Sequence, residues 1–479
     1  MLFICLLNTC QLYIFLKKYL FFCLQANSHK KLSYLTNLHF QLQKMTQRKK
    51  APVRRNKFLK FLSILGPGLT TGAADDDPSG IATYSQTGAQ FGYGQLWTAF
   101  YMLPFMMAVQ EACARIGMVT GKGIAAIVKE NYNRFVLYLV VFLVVIANII
   151  NIGADIGAMA AAAKLIIPIP FVVWTLLFTA SILILEIFTT YKVYAKILKW
   201  LALSLLAYPV TVFIVKMPWL TVIKATFIPH IEFNFAFFFI ITGVLGTTIS
   251  PYMFFWETSQ EVEEVKEKRW MKHGLPSIRQ SNIRTMRLDN NAGMIISEIT
   301  TWSILVVAGT VLHNSGITDI KTAADAAKAL EPLVDSFPHA GYLSKLIFSI
   351  GIIGLGFLAV PILSGSAAYA VSEAVNWKSG LNLKLKRAHG FYGVITIATI
   401  IGLIINFVGI NPVKALVYSA VLNGVAAVPL IFLIIRISVN DKIMGQYKSG
   451  LLSKIILWLT FLGMAAAAIA MFVMLNAER

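Results

Sequence analysis

Residues 68–80 read GLTTGAADDDPSG and place three consecutive aspartates, Asp75 to Asp77, in a segment otherwise made of apolar and small residues. Proline removes a backbone donor and clashes with the preceding helical turn, and flanking glycine or serine lets the chain unwind. Unwound backbone at membrane depth is tolerated only where it lines a cavity or a site. The sequence therefore predicts a membrane helix that is broken around a site at these aspartates.

The composition of the whole chain is typical of a membrane protein. Of 479 residues, 57% are hydrophobic and only 13% are charged, about half the charged share of soluble proteins. Apolar runs of roughly 20 residues, enough to cross about 30 Å of hydrocarbon, recur along the sequence. We predict eleven spans, at about 61–88, 95–119, 135–160, 170–189, 194–215, 234–258, 290–312, 342–374, 389–408, 413–436 and 452–475.

The basic residues indicate topology. They lie in short segments between the spans, so the net charge of +20 does not favour nucleic-acid binding. Most would share a side with the basic segment MTQRKKAPVRRNKF (45–58), which predicts a multi-pass protein of the cell (inner) membrane with a cytoplasmic N-terminus. Residues 1–44 lack a small-residue cleavage site. We interpret them as an over-extended start, with an amphipathic anchor as the alternative.

A second interruption, GVLGTTISPY (243–252), lies in the sixth span. Interruptions in the first and sixth spans are typical of a five-plus-five inverted repeat whose site lies where the breaks meet. The alternative, two harmless proline kinks, does not account for three aspartates. This predicts an N-terminal segment (1–60), a core (61–437) with repeats at about 61–215 and 234–437, and a loop with an eleventh helix (438–479).

Four motifs in the right order resemble the NRAMP family of divalent-metal transporters: DPSG (77–80), QEACARIGMVTGKGIAAIVKENY (110–132), LGTTISPYMFFWETS (245–259) and VNDKIMG (439–445). The resemblance covers residues 60–437. It implies an all-α polytopic protein with a LeuT-type fold, eleven transmembrane helices and broken helices 1 and 6. It also implies a secondary transporter working by alternating access, with no resident cofactor. An intramembrane enzyme is disfavoured separately, because the sequence has no His-Glu-x-x-His or Gly-x-Ser-x-Gly motif and no His/Cys metal cluster.

The resemblance also implies a ligand set. The family holds its ion with the Asp and Asn of the first motif, the Met of the sixth span, and backbone carbonyls at both breaks. Carried over to this sequence, these positions are Asp77, Gly80, Ser250, and the carbonyls of Ala74 and Thr247. We add Asp76 as a further candidate ligand. Asp75 and Asp76 would otherwise attract cations or face water above the site.

Two departures from the family pattern bear on the ion. A thioether favours Mn²⁺, Fe²⁺ and softer ions, whereas Ser250 leaves only oxygen donors beside Asp77. Gly80 removes bulk and a ligand, and the roomier pocket would suit Mg²⁺, which keeps several waters while touching one or two carboxylates. The sequence thus also resembles the divergent NRAMP-related magnesium-transporter branch, and we predict Mg²⁺, with Mn²⁺ possible.

Three further positions bear on proton coupling. Tyr252 and Glu257 replace two family histidines, and Asp155 keeps a carboxylate whose family partner is Ala158 here. Tyrosine, with an unperturbed pKa near 10, exchanges protons poorly at working pH. We predict that Tyr252, Glu257 and Asp155 line the pathway and that transport is not coupled to protons. Alternatively, Asp155 pairs with Arg115 as a structural lock.

Other functions stay open at this point. One is a proton-coupled Mn²⁺/Fe²⁺ symporter, and another is an amino-acid transporter of the same fold, which the aspartates would disfavour by repelling a carboxylate. The run QEVEEVKEK (260–268) is interpreted as a solvated helix end. The sequence leaves the oligomeric state open. The remaining ionisable residues in or near spans would face the interior: Glu111, Glu186, Glu298 and Glu373.

Overall fold

The computed structural model describes residues 67–189, 206–273 and 275–477. The predicted N-terminal segment (1–60) and the first part of the fifth predicted span (194–205) lie outside these residues. The first half of the described chain contains α1 (Pro67–Asp75), α2 (Pro78–Phe91), α3 (Trp97–Thr120), α4 (Ile124–Asn131), α5 (Arg134–Ile166), α6 (Phe171–Phe188), α7 (Ala207–Ile214) and α8 (Trp219–Phe227).

The second half begins with α9 (Phe235–Thr248) and α10 (Pro251–Glu267), followed by a hairpin of β1 (Met271–Lys272) and β2 (Leu275–Pro276), in which Met271 pairs with Pro276. It continues with α11 (Gln280–Ala308), a π-helical turn (Gly309–His313), α12 (Ala323–Ala327), α13 (Glu331–Val334), α14 (Ala340–Ala374), α15 (His389–Ile405), α16 (Pro412–Ser438), α17 (Asp441–Met444) and α18 (Leu451–Ala477).

The helices follow the predicted spans closely. In the described part of the chain, seven helical stretches are long and apolar enough to cross a membrane, and α15 is a shorter apolar helix. The main difference is α11, which begins at Gln280 and not near residue 290. Its first turns, QSNIRTMRLD, are polar, so hydropathy alone does not reveal them as part of this helix.

Both predicted breaks are present. Helix α1 ends at Asp75, and Asp77 (φ −65°, ψ 172°) is the N-cap of α2, whose first residue is Pro78. Proline suits this place because the first helical N–H has no partner within the helix. Helix α9 ends at Thr248, and α10 restarts at Pro251 after an extended Ser250. The same residue type therefore restarts both broken helices.

Helices of the first half of the chain pack against helices of the second half. Helices α1 and α2 pack against α11, which is the seventh span, and α10 packs against α3, which is the second. Each broken helix thus contacts the second helix of the other half, so the two halves make the same kind of contact with each other. Helix α5 lies along α14, and α9 lies along α16. These contacts bring the two breaks together in the interior of the bundle.

Helix α1 approaches α11 closely because both helices carry glycine at the crossing. A Cβ atom at Gly72 would lie 2.5 to 2.8 Å from the backbone of Gly293, and one at Gly68 would meet the backbone of Asn290. Real Cβ atoms do not approach backbone so closely, so side chains at these positions would force the helices apart. The crossing fixes the position of the aspartates at the end of α1.

Candidate functional site

The two breaks touch through hydroxyl groups. The Tyr252 hydroxyl at the start of α10 donates to the Ala74 carbonyl of α1 over 3.0 Å. Ser79 Oγ and Thr247 Oγ1 lie 3.4 Å apart, and Tyr84 Oη and Thr248 Oγ1 lie 2.8 Å apart. All of these side chains are buried. The structure therefore brings the two predicted halves of the site together.

Asp77 lies at this junction and is 1% exposed. Its Oδ1 accepts hydrogen bonds from the Ser79 hydroxyl (2.6 Å) and from the Gly80 N–H (2.7 Å). Its Oδ2 accepts one from Nδ2 of Asn151 on α5 (2.9 Å). The carboxylate thus caps α2 with one oxygen and faces α5 with the other, so its orientation is fixed from both sides.

The amides on α5 and α16 are functional candidates that the sequence reasoning missed. Asn151 Nδ2 also lies 3.3 Å from Asp155 Oδ2, and its Oδ1 faces Nδ2 of Asn423 on α16 at 3.4 Å. The amide therefore bridges Asp77 to Asp155. A signal was available, because Asn148, Asn151 and Asp155 recur at helical spacing in an otherwise apolar span.

The predicted backbone ligands already accept hydrogen bonds. The Ala74 carbonyl accepts one from Tyr252, and Ser250 Oγ donates to the carbonyls of Gly246 and Thr247, each over 2.7 Å. The Ser250 hydroxyl is thus turned toward its own helix. A carbonyl oxygen has two lone pairs, so Ala74 and Thr247 each keep acceptor capacity toward the junction.

The space expected at Gly80 is small. A Cβ atom there would lie 3.3 Å from the Asp75 carbonyl, from Thr247 Oγ1 and from the Tyr84 ring. The expectation of a roomier pocket is therefore wrong at this position, because neighbouring groups from α1, α2 and α9 occupy the volume that an asparagine would use. Compared with asparagine, glycine at position 80 removes one side-chain ligand but leaves no empty space, because the surrounding groups pack closely.

Asp75 and Asp76 do not face water, which corrects that alternative. They are 0% and 2% exposed, and both turn toward α11. Ser297 Oγ donates to Asp75 Oδ2 over 2.7 Å, and Thr301 Oγ1 lies 3.4 Å from Asp76 Oδ1. The three consecutive aspartates therefore divide between two faces of the break, with Asp77 toward α5 and the others toward α11.

Toward its N-terminal end, α1 donates hydrogen bonds to carboxylates of α10 and α11, which close the bundle on this side. Thr71 donates to Glu257 Oε2, and the Gly68 N–H donates to Asp289 Oδ2 over 2.9 Å. Glu261, one helical turn after Glu257, is 1% exposed. The interpretation of 260–268 as a solvated helix end is thus wrong for Glu261, which lies on the buried side of α10 near Glu257 and Asp289.

Arg115 does not pair with Asp155, so the proposed lock between them is wrong. Its guanidinium binds Glu111 through Nε (2.9 Å) and Nη2 (3.1 Å), and it reaches the Tyr447 carbonyl with Nη1 (2.6 Å). Arg287 of α11 binds the same Glu111 over 2.8 Å. This network ties α3 to α11 and to the loop after α16, away from the two breaks.

A cavity of about 220 Å³ lies on the opposite side of the junction, toward the C-terminal end of α2. Gln86 closes one wall, because it donates to the Thr318 carbonyl (3.1 Å) and accepts from the Ile320 N–H (2.9 Å). We call this cavity the vestibule. Its lining residues are Gln86, Gln90, Phe235, Ala236, Phe239, Ile240, Asp319, Ile320, Val413, Lys414, Val417 and Tyr418.

The donor set around Asp77 consists of a hydroxyl, a backbone amide and a carboxamide. Within residues 67–189, 206–273 and 275–477, no three His, Cys, Asp or Glu side chains converge closely enough to hold a metal ion. An ion at the junction would therefore be held by fewer than three carboxylates, together with neutral oxygens. Such a site suits a cation that keeps part of its water shell.

Comparison with known proteins adds a family match. Residues 68–474 match the family described as natural resistance-associated macrophage protein-like. The divalent metal cation transporter MntH of Caldanaerobacter subterraneus subsp. tengcongensis is 26% identical over 415 residues, which are 84% of this chain and 92% of that protein. The protein of the same name from Staphylococcus aureus (strain Mu3) is 26% identical over 331 residues, 67% and 71% of the two chains.

A solved structure shares the fold. The Eremococcus coleocola manganese transporter, in complex with an aromatic bis-isothiourea substituted compound, superposes with a TM-score of 0.69 at 14% identity, covering 89% of each chain. At that identity the likeness concerns the fold alone. It confirms the predicted class, an all-α polytopic membrane protein of the LeuT type.

Proposed function

The chain belongs to the natural resistance-associated macrophage protein-like (NRAMP) family, and from this membership and the geometry of the two breaks we propose that it carries a divalent metal cation across the membrane. The observation that carries the proposal is the buried Asp77 carboxylate at the junction of the broken helices, held by Ser79, Gly80 and Asn151. An intramembrane carboxylate on unwound backbone is typical of a substrate or ion pathway.

In this proposal Asp77 is the charged ligand of the ion. The carbonyls of Ala74 and Thr247, each with a remaining lone pair, and the Ser250 hydroxyl supply neutral oxygens. Asn151 positions the carboxylate and bridges it to Asp155. Glycine at position 80 contributes no side-chain ligand, so water completes the coordination sphere.

We favour Mg²⁺ as the ion, with Mn²⁺ as the alternative. All proposed ligands are oxygen atoms, and an oxygen site does not discriminate against hard cations as a thioether does. The relatives carry names that refer to divalent metal cations and to manganese. For this reason the binding experiment below compares Mn²⁺ with Mg²⁺. The proposed position of the ion is beside Asp77 on the side of α9 and α10, where the Thr247 carbonyl and Ser250 lie; the close packing at Gly80 is consistent with this position.

Transport would alternate between two openings. The vestibule lies at the C-terminal end of α2 and would form the entry on one side, while α1 is held on the other side through Thr71–Glu257 and Gly68–Asp289. Moving α1 away from α10 and α11 would break both contacts and open the path past Glu257. We place the N-terminus and this sealed end in the cytoplasm, in keeping with the positive-inside pattern, so the cycle imports the ion.

We further propose that the cycle needs no proton. A divalent cation gains about 4.6 kcal/mol on crossing 100 mV inward, since each charge gains about 2.3 kcal/mol. Tyr252 occupies a family histidine position and donates its hydroxyl to a backbone carbonyl. Asp155 has Ala158 in place of an acidic partner on the next turn. Neither position supplies the titrating pair that a proton relay uses.

Binding calorimetry on the purified full chain tests the ion site. Mg²⁺ and Mn²⁺ should bind at the junction of the wild type with comparable affinity, and Asp77→Ala should remove this one binding event for both ions. Asn148→Ala is the matched control, because its amide bonds to the Leu363 carbonyl instead of Asp77. Binding of Mn²⁺ alone would support the soft-ion alternative, and binding unaffected by Asp77→Ala would refute the site.

Proteoliposomes test the coupling. With a pH-sensitive dye inside and a potential that is negative inside, Mg²⁺ uptake should proceed without internal acidification. Uptake should increase with the potential at constant pH. Acidification that depends on Mg²⁺ or Mn²⁺ and disappears in Asp77→Ala would show proton symport and overturn this part of the proposal.

A further inference from the structure

The α11 face of the break carries a second group of buried carboxylates, on Asp75, Asp76 and Glu298. Asp75 accepts a hydrogen bond from Ser297, and Asp76 lies 3.4 Å from Thr301 Oγ1. These contacts involve none of the residues that hold Asp77. The group is therefore held by different contacts from the carboxylate on the α5 face, although Asp77 lies within electrostatic reach of Asp75 and Asp76.

Glu298 of α11 brings a third carboxylate near this group. It is 5% exposed, and neither of its carboxylate oxygens has a hydrogen-bond partner among the described residues. It lies within electrostatic reach of both Asp75 and Asp76. Oδ1 of Asp75 also lacks a partner in the described part of the chain. Three of the six carboxylate oxygens thus lack a partner among the described residues, while two accept hydrogen bonds from the hydroxyls of Ser297 and Thr301.

The group also has no positive partner. Among the residues that the structure describes, no lysine or arginine forms an ion pair with any of the three carboxylates. Isolated ionised carboxylates are very costly to bury, so buried charges are paired or coordinate metal ions. Ser and Thr hydroxyls and carboxylates together form an all-oxygen donor set of the kind that hard cations prefer.

We propose that Asp75, Asp76 and Glu298 bind a second divalent cation beside the transported one. The inference rests on the proposed function for the identity of the ion, but on different residues for its site. The three carboxylates do not converge closely enough to ligate one ion together. The ion is therefore bound through one or two of them, with water linking it to the rest.

The ion sits between the C-terminal end of α1 and the middle of α11. There it neutralises the acidic end of α1 and holds α1 against α11, next to the Gly72–Gly293 crossing. The second cation thus stabilises the arrangement in which α1 seals the bundle.

The experiment measures Mn²⁺ stoichiometry on the full chain in detergent, with electron paramagnetic resonance as the second readout. The wild type should bind two Mn²⁺ ions, with the spin–spin broadening of adjacent ions. Glu298→Gln should bind one ion with a narrow spectrum, and Asp77→Asn should also bind one. Ser297→Ala, which adds no charge and removes no carboxylate, should lower the affinity for the second ion several-fold. This variant replaces Glu298→Gln in the test if Glu298→Gln does not fold.

Glu186→Gln is the matched control, since this buried carboxyl on α6 bonds to Ser364 far from the group. It should keep two ions. One ion in the wild type, unchanged by both Glu298→Gln and Ser297→Ala, would overturn the inference. The two proposals can fail separately. Two ions retained in Asp77→Asn would contradict the proposed transport site. Loss of one ion in Glu298→Gln would, in that case, still support the second cation site.

Discussion

The two faces of the break in the first span carry the same residue type but different surroundings. On the α5 face, Asp77 accepts hydrogen bonds from a hydroxyl, a backbone N–H and a carboxamide. On the α11 face, Asp75 and Asp76 meet hydroxyls, with Glu298 nearby. Asp77 is therefore oriented by three donors, one of which, the Asn151 amide, also links it to Asp155, whereas no described donor bonds to Glu298 beside Asp75 and Asp76.

The difference arises from local backbone geometry. Helix α1 ends at Asp75 and the chain is extended at Asp77, so neighbouring side chains turn to opposite sides. A single unwound turn thus presents carboxylates to two neighbouring helices, α5 and α11. The lesson is that adjacent carboxylates in a broken helix need not belong to one site.

The largest expected effect separates the faces directly. Asp77→Asn should weaken binding of the transported ion by at least about 100-fold, because it removes the only charged ligand while keeping the shape. Competition binding with Mg²⁺ and Mn²⁺ measures it. Asp75→Asn is the comparison and should leave the affinity at the α5 face within a few-fold. Equal losses in both variants would mean that the two faces form one site.

The next effect concerns how α1 is held against the α11 face. Gly72→Ala should destabilise the protein by about 1–3 kcal/mol, because its Cβ meets the Gly293 backbone with no room to relax. Thermal unfolding monitored by size-exclusion chromatography reports the change. Gly393→Ala on α15 has nothing within 4 Å of its Cβ and should be stabilising by up to about 1 kcal/mol. Similar melting temperatures for the two variants would contradict the close crossing.

A smaller effect tests the carboxamide on the α5 face. Asn151→Ala should weaken divalent-cation binding about tenfold, because it removes a donor to Asp77 and the bridge to Asp155. Asn148→Ala, three residues earlier on the same helix, removes an amide that bonds to Leu363 and should leave affinity unchanged. An equal loss in both would assign the effect to α5 packing.

The smallest effect sharpens the ion preference of the α5 face. Ser250→Met should shift the preference toward Mn²⁺ over Mg²⁺ by several-fold, about 1 kcal/mol, because a thioether is a softer ligand than a hydroxyl. Competitive uptake of the two ions in proteoliposomes measures the ratio. An unchanged ratio would show that residue 250 does not contact the ion.

Much of the fold could be predicted from the sequence. Proline with flanking glycine or serine gave both breaks, and hydropathy gave the positions of the spans. The start of α11 was missed, because its polar first turns extend beyond any hydrophobic window. Such local patterns predict helices well when the membrane imposes their length.

The site could be predicted only in part. The motif pointed to Asp77, but Asn151 and Asn423 come from spans without a motif, and their meeting depends on tertiary packing. The packing of Tyr84 and Thr247 around Gly80, and the burial of Glu261, likewise depend on how neighbouring helices close over them. A sequence shows which side chain is small but not what fills the space that it leaves.

The hydroxyls of Tyr252 and Ser250 have a consequence for the return half of the proposed proton-independent cycle. A carrier that moves one ion without a companion must turn back unloaded, and bare carbonyls at membrane depth would make that step costly. Tyr252 and Ser250 donate to the carbonyls at the two breaks. Internal donors of this kind would let the unloaded protein reset without recruiting water or protons.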